Sequence, residues 1–204
     1  MSDETAAEAK PAPRVFVRKE PERMGAKKIL VRVVIYIVGS YLLLCTLLFL
    51  LQGKLVFQPG KVDELKPQSA GFGPQQASAL ETKTSDGLTL RGWLIGGGKT
   101  KAKGSPKKLE DAALVVLFFT GNGGNRGDRI GAFKQLNSFG ANVVCFDYRG
   151  YGDSEGSPNE AGLALDARAA WDYLRAQNVP ADRIVIQGES LGGAVAIRLA
   201  SELS

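Results

Sequence analysis

The sequence predicts an α/β domain whose mixed, mostly parallel sheet lies between helices, preceded by one membrane-crossing helix. Three observations carry this. Val33 to Leu51 reads VVIYIVGSYLLLCTLLFLL, 19 residues without a charge. Beyond it, short continuous apolar runs alternate with amphipathic stretches, the pattern of strands covered on both faces by helices. A hairpin pattern precedes the first of these runs, which makes the sheet mixed.

The first 28 residues are rich in Ala, Pro and charge and are expected to be disordered. At 1.5 Å per residue the apolar run makes a helix about 28 Å long, close to the hydrocarbon thickness of a bilayer. A transmembrane helix is therefore expected over 29–51, with the lipid bilayer as its partner. Arg14, Arg18, Lys19, Arg23, Lys27, Lys28 and Arg32 precede the run, against Lys54, Lys61 and Lys66 after it. That excess keeps the N-terminus cytoplasmic and places the rest on the opposite, periplasmic or extracytoplasmic, side. Gln52-Gly53-Lys54-Leu55 makes a poor cleavage site. A lipoprotein signal at Cys45 would need a small residue where Leu44 stands. An uncleaved signal anchor fits best.

Residues 52–75 read as a Gly, Pro and polar linker along the membrane face, and residues 76–204 as the domain. Leu80 to Thr84 and Leu88 to Ile95 flank Ser85-Asp86-Gly87, a hairpin with Asp-Gly in its turn. The loop over 96–111 is too polar to be buried. Leu114 to Phe119 and Asn142 to Phe146 are continuous apolar strands, with a helix over Ile130 to Ser138 between them. Glu160 to Arg175 carries Leu163, Leu165, Ala169, Ala170, Tyr173 and Leu174 at helical spacing. A third strand, Arg183 to Gln187, leads to a small-residue helix over Ala194 to Leu203.

Composition excludes several classes of function. Of a net charge of +5, +3 lies in residues 1–32, so the domain lacks the basic face that a nucleic acid would need. Cys45 and Cys145 form neither a disulfide framework nor a metal-ligand spacing, and read as small core-type side chains. Among 204 residues there is no histidine, the commonest general base and metal ligand. No metal or other cofactor is expected.

Gly188-Glu189-Ser190-Leu191-Gly192 fits G-x-S-x-G, in which a serine occupies a sharp turn between strand and helix. Gly152-Asp153-Ser154-Glu155-Gly156 fits it too. Ser154, however, lies in a loop ahead of Ser157 and Asn159, either of which can cap the next helix. Ser190 directly follows the Ile184-Val185-Ile186 run and directly opens a helix, so Ser190 is the candidate nucleophile and Ser154 is structural. The candidate oxyanion donors are the N–H of Leu191 and that of Asn122 or Gly123, in the loop Thr120-Gly121-Asn122-Gly123-Gly124-Asn125. The same loop has a rival reading. Gly121-x-Gly123-x-x-x-Gly127 with Asp147 after the next strand approximates a dinucleotide fingerprint, although Arg126 stands where its third glycine belongs.

Three segments in order, Phe119 to Asn125, Asp147 to Leu174 (DYRGYGDSEGSPNEAGLALDARAAWDYL) and GESLGG from Gly188, resemble the membrane-anchored branch of the α/β-hydrolase superfamily. That branch has serine peptidase-like, lysophospholipase-like and acyl-protein thioesterase-like members. The likeness covers roughly 30–204, and the stretch Gln52 to Pro59 is similar to the family's juxtamembrane segment. It implies a partial α/β-hydrolase fold, with Ser190 as nucleophile on an ester, thioester or peptide bond and Gly188 and Gly192 as the elbow glycines. Asp147 and Arg149 are implied to tie down the loop after the fourth strand. Glu160 and Asp166 are implied to be a helix-start and a surface residue. Two departures stand out. Thr120 replaces the usual histidine of the oxyanion loop. The triad acid and histidine should follow the elbow, yet the 14 residues after Ser190 contain neither Asp nor His. The expectation is a C-terminally truncated chain that is inactive by itself, whose last strand is left as an apolar edge. The alternative is a non-catalytic membrane-anchored pseudoenzyme or interaction protein.

Overall fold

In the computed structural model of the protein, residues 25–96 and 109–204 are described. The expected disordered tail lies outside the described residues up to residue 24, as does most of the polar loop at 96–111. Two compact units divide the chain, one ending at Leu48 and the other running Phe49–Ser204.

α1 is one continuous helix, Ala26–Val56, with no buried residue. No proline interrupts it, and it runs beyond the expected 29–51 at both ends. Its length and composition suit a single membrane crossing. Cys45 is exposed on it rather than placed in a core.

The stretch 52–75 is not a free linker. Its first residues complete α1, Gln58–Pro59 forms a short strand, β1, and Pro67–Ala70 is a turn of 3-10 helix. Pro67 is buried, and Phe72 packs edge-on to Trp93 with ring centroids 6.1 Å apart. A few apolar side chains among polar neighbours are enough to dock it, which a reading of average polarity misses.

The hairpin follows as β2, Ala77–Lys83, and β3, Thr89–Ile95, in antiparallel register. β4 is Val115–Phe119, the two-residue β5 is Gly123–Gly124, α2 is Ile130–Ser138 and β6 is Asn142–Phe146. α3 is Glu160–Ala176, β7 is Ile184–Gly188 and α4 is Leu191–Leu203. The main sheet has the order β2-β3-β6-β4-β7, parallel where β4 meets β6 and β7 and antiparallel in the hairpin and where β3 meets β6.

Every residue of β4 is buried, as a strand covered on both faces requires. Val115, Leu117 and Phe119 join a core with Leu163, Leu174, Val195 and Leu199, so α3 and α4 cover one face. Val116 and Phe118 join a second core with Trp93 and Phe133, so α2 covers the other. Leu109, expected in a loop too polar to bury, closes the first core. Leu165, by contrast, is exposed, and Ala167 takes the buried position on that turn. Among the described residues β7 pairs only with β4, and Val185 on it is 47% exposed.

Gly92 lets β3 pass close to β6. A Cβ there would stand 2.5 Å from the Cys145 carbonyl oxygen and 2.6 Å from the Phe146 ring. Gly92→Ala is expected to destabilise the domain by about 1–3 kcal/mol, the usual scale of overpacking, read as a lower denaturant midpoint for the detergent-solubilised chain.

Candidate active site

The site is built where two neighbouring parallel strands end. β4 runs into the Thr120–Asn125 loop and β7 runs into the turn at Ser190. The Glu189 N–H donates to the Phe119 carbonyl at 3.0 Å, so loop and turn share a hydrogen bond. A Cβ on Gly192 would collide with the carbonyl oxygens of Phe119 and Thr120, and one on Gly188 with the backbone of Gly192. Both elbow glycines are therefore required by close approach of strand, loop and helix.

Ser190 has φ 53° and ψ −117°, a conformation that costs a non-glycine residue on the order of 1–3 kcal/mol. It stands at the N-cap of α4, yet its side chain makes no capping bond. The residue is exposed, and its hydroxyl makes no hydrogen bond among the described residues. Leu191 opens the helix, and the N–H of a first helical residue has no acceptor within its own helix.

Three carbonyls of the glycine loop accept from side chains. Tyr148 Oη donates to the Thr120 carbonyl at 3.0 Å, and Tyr151 Oη to the Asn122 carbonyl at 2.8 Å. Arg129 Nη2 donates to the Gly123 carbonyl at 3.2 Å, while its Nε donates to Glu189 at 2.7 Å. Arg129 thereby ties the glycine loop to the serine turn. Burial pushes the Tyr148 phenol above its ordinary range, so it stays a donor. The Thr120 hydroxyl, standing where the resembling family has histidine, is buried without a partner among the described residues.

Behind the loop lies a buried cation. Arg126 is 1% exposed, and its Nη1 donates to Asp147 at 2.5 Å and to Asp153 at 2.7 Å. Its Nη2 donates to the Leu65 carbonyl at 2.9 Å, and the guanidinium lies 5.0 Å from the Trp93 ring centroid. Burial pushes the Asp147 carboxyl up to about 6 against the opposing charge of Arg126. Burial also raises Asp153, but there the hydrogen bond and charge of Arg126 prevail and hold it below the usual range.

A second cluster holds the next loop. Arg149 pairs with Asp86 at 2.8 Å and with Asp166 at 2.8 Å, and its N–H donates to the Asp166 carboxylate. Asp166 is therefore not the surface residue expected of it. It is 2% exposed, because Gly162 on the same helix face lets the Arg149 side chain lie against α3. Asn159 caps α3 by accepting from the Gly162 N–H, with Glu160 in the first turn. Ser154 is structural: it is buried, donates to the Asp147 carbonyl and accepts from the Arg91 N–H.

The dinucleotide reading fails on the same bonds. The N–H groups of Asn125 and Gly127, which a phosphate would need, are held by the side chains of Asp128 and Asn125 in a capping box. Asp147, the expected ribose acid, is locked to Arg126. A recess of about 700 Å³ beside Asp63–Gln68 contains none of the elbow or glycine-loop residues, and it is walled by the already paired Arg126, Asp153, Arg91 and Glu81.

The four residues expected from the sequence, Ser190, Leu191, Asn122 and Gly123, all follow the carboxyl ends of the neighbouring strands β4 and β7. Arg129 and the pairing of β1 with β5 carry no signal in the sequence, and Arg126 stands out there only as a departure from the dinucleotide fingerprint, not as the buried cation behind the loop.

A family described as alpha/beta hydrolase fold matches residues 115–203. An uncharacterized protein of Mycobacterium tuberculosis is 40% identical over 139 residues, 65% of this chain and 46% of that protein. The lysophosphatidylserine lipase ABHD12 of Danio rerio is 32% identical over 189 residues, 84% of this chain and 49% of that protein. The solved esterase Pf2001 of Pyrococcus furiosus superposes with a TM-score of 0.54 at 26% identity, over 72% of this chain and 51% of that one. The chain spans about half the length of the curated relatives it matches.

The cluster behind the loop gives a pH signature. An unfolded aspartate titrates near about 4, and native Asp147 at about 6. The native state thus takes up a proton between these values that the unfolded chain does not. This contribution to stability is complete below about pH 4 and is lost as pH rises through about 6. Asp147→Asn removes it, so the rise in Tm on going from pH 7 to pH 5 should be smaller in the variant than in the parent. Arg126→Met should cost about 3–5 kcal/mol at pH 7 by stranding two carboxylates, and less at pH 5, as denaturant titrations at the two pH values would show.

Proposed function

The chain belongs to the α/β-hydrolase superfamily, and from that premise we propose that it carries the nucleophile and oxyanion half of a membrane-tethered serine hydrolase. The observation that carries this reading is Ser190 itself. It is exposed, held at φ 53° between β7 and α4, and its hydroxyl is spent on no cap.

Ser190 Oγ adds to the carbonyl carbon of the substrate, and the negative charge that develops on the carbonyl oxygen is received by the Leu191 N–H and by that of Asn122 or Gly123. Such fixed donors act on the transition state more than on the ground state. The leaving group departs with a proton, and water then releases the acyl group from Ser190. The proton of Ser190 needs a base, and the 204 residues contain no histidine. We assign the acid and base to polypeptide outside these residues, and expect this chain to be inactive by itself.

The bond cleaved is an ester, thioester or peptide bond, and a carboxylic ester with a lipid-like acyl chain is the reading best supported. One relative bears the name of a lysophosphatidylserine lipase and one solved neighbour that of an esterase. α1 would hold the enzyme at the bilayer where such amphiphiles reside. The excess of basic residues before the Val33–Leu51 run would put the N-terminus in the cytoplasm and the hydrolase domain on the opposite side. A second reading, a non-catalytic membrane protein on the same scaffold, draws on the absence of histidine alone.

Fluorophosphonate labelling separates the two. The polypeptide that continues this sequence through an aspartate and a histidine should label at Ser190, and Ser190→Ala should abolish the label. The 204-residue chain should label at least about a thousandfold more slowly, the scale on which a serine loses its base. Equal rates in both would discard the assignment of the base, and labelling that survives Ser190→Ala would discard the nucleophile.

A further inference from the structure

β1 lies seven residues beyond the end of the Val33–Leu51 run, and it is hydrogen-bonded to the glycine loop. Gln58 stands opposite Gly123 and Pro59 opposite Gly124, in parallel. The Gln58 N–H donates to the Asn122 carbonyl at 3.0 Å, and the Gly60 N–H to the Gly124 carbonyl at 2.9 Å. Side chains bridge the same two segments: Asn122 Nδ2 donates to the Val56 carbonyl at 3.0 Å, and Asn125 Nδ2 to the Gly60 carbonyl at 2.9 Å. Gly60 is pressed so close that a Cβ there would stand 3.0 Å from the Gly124 backbone.

The register decides which peptide groups remain free. In a parallel ladder a strand turns alternate residues toward its partner. The Asn122 and Gly124 carbonyls face β1, so the Gly123 N–H faces away from it. Across a trans peptide that N–H also points opposite to the clamped Asn122 carbonyl. A Cβ built on Gly123 would itself have nothing within 4 Å, so this residue is not pressed against β1 as Gly60 is against Gly124. The Asn122 carbonyl has two donors, Gln58 N–H and Tyr151 Oη, so its orientation is doubly fixed.

We propose that Phe57–Gly60 is a positioning segment of the active site, which holds the Asn122–Gly123 peptide so that its free N–H meets the substrate oxyanion. It rests on the nucleophile reading of Ser190. No group in Phe57–Gly60 touches the reacting atoms. The segment acts through Asn122 and Gly123.

The test substitutes Gln58, whose backbone N–H is the contact in question. Gln58→Pro deletes that N–H, whereas Gln58→Ala keeps it and loses only the side-chain bond from Nε2 to the Leu55 carbonyl. In the full-length protein in native membranes, Gln58→Pro should slow fluorophosphonate labelling and ester turnover about 10–100-fold, the scale of a misplaced catalytic group. The loss should fall on kcat with KM little changed, because the oxyanion forms only in the transition state. Gln58→Ala should stay within about twofold of the parent. In the 204-residue chain in lipid nanodiscs, labelled with 15N-glycine, Gln58→Pro should shift the Gly123 and Gly124 resonances and leave those of Gly87 and Gly140 in place. That readout requires no activity and reports a misfolded variant directly, since all glycines would then move. Parent rates in Gln58→Pro, equal losses in both variants, or unmoved Gly123 and Gly124 resonances would each overturn the positioning role. If Ser190→Ala abolishes labelling while Gln58→Pro keeps the parent rate, only this inference falls. Labelling that persists in Ser190→Ala discards the nucleophile reading and this inference with it.

Discussion

The guanidinium of Arg126, buried behind the glycine loop, joins stretches of chain that are far apart in sequence. It reaches the carboxylates of Asp147 and Asp153, the Leu65 carbonyl and the face of Trp93. Taking three charges out of water is expensive, and the attraction between them offsets that expense only when the remaining donors and acceptors are matched. Most are. Asp147 also accepts from the Arg126 N–H at 2.7 Å, and Asp153 from the Leu65 N–H at 3.0 Å. Arg126 Nε alone lacks a partner among the described residues. A cluster so closely satisfied contributes less net stability than its bond count implies. It leaves few alternative arrangements of the strands it joins, and the glycine loop, which begins six residues before Arg126, takes its position from that uniqueness.

What the sequence makes legible follows from how local each signal is. Asn142–Phe146 can be read to the residue, because a buried parallel strand is a continuous apolar run between polar ends. The turn at Ser190 is legible for a similar reason, since an apolar strand, a pair of glycines and a small-residue helix adjoin without a gap. Asp166 is not legible. On a helical wheel it is one acid among others, and its burial is decided by Arg149, 17 residues away and held there by a loop. β1 is illegible for a stronger reason. Two residues, one of them proline, carry no period, and the strand exists only because Gly123 and Gly124 offer it an edge.

Ser154 and Ser190 show how little a pentapeptide pattern settles. Both satisfy G-x-S-x-G. At Ser154 the hydroxyl is consumed by the Asp147 carbonyl and the Arg91 N–H, and the residue is buried. Its flanking glycines, Gly152 and Gly156, have positive φ, so the glycines and not the serine absorb the sharp turns. At Ser190 the arrangement is reversed: the serine has the positive φ, and Gly188 and Gly192 serve close packing. A residue with a side chain tolerates that conformation only where its surroundings enforce it. Here the enforcement comes from the Glu189 N–H on the Phe119 carbonyl before the turn, and from the Gly192 and Gly193 N–H bonds after it.

Topology explains why these parts meet at all. From β4 the chain passes through α2, on one face of the sheet, to reach β6 on one side of β4. It then returns through α3 to β7 on the other side, and α4 leaves over the opposite face. Between β4 and β7 the winding therefore reverses. Two loops that leave neighbouring parallel strands toward opposite faces must part, and they open a crevice at the carboxyl ends of those strands. The Thr120–Asn125 loop leaves the sheet on one side of that switch point and the Ser190 turn on the other. Arg129 spans the two through Gly123 and Glu189. Strand order alone makes the Ser190 turn and the glycine loop neighbours, before any contact between them is formed. Close packing at Gly192 then fixes how near the two come, and the carbonyl partners of the glycine loop fix the orientation of its peptides.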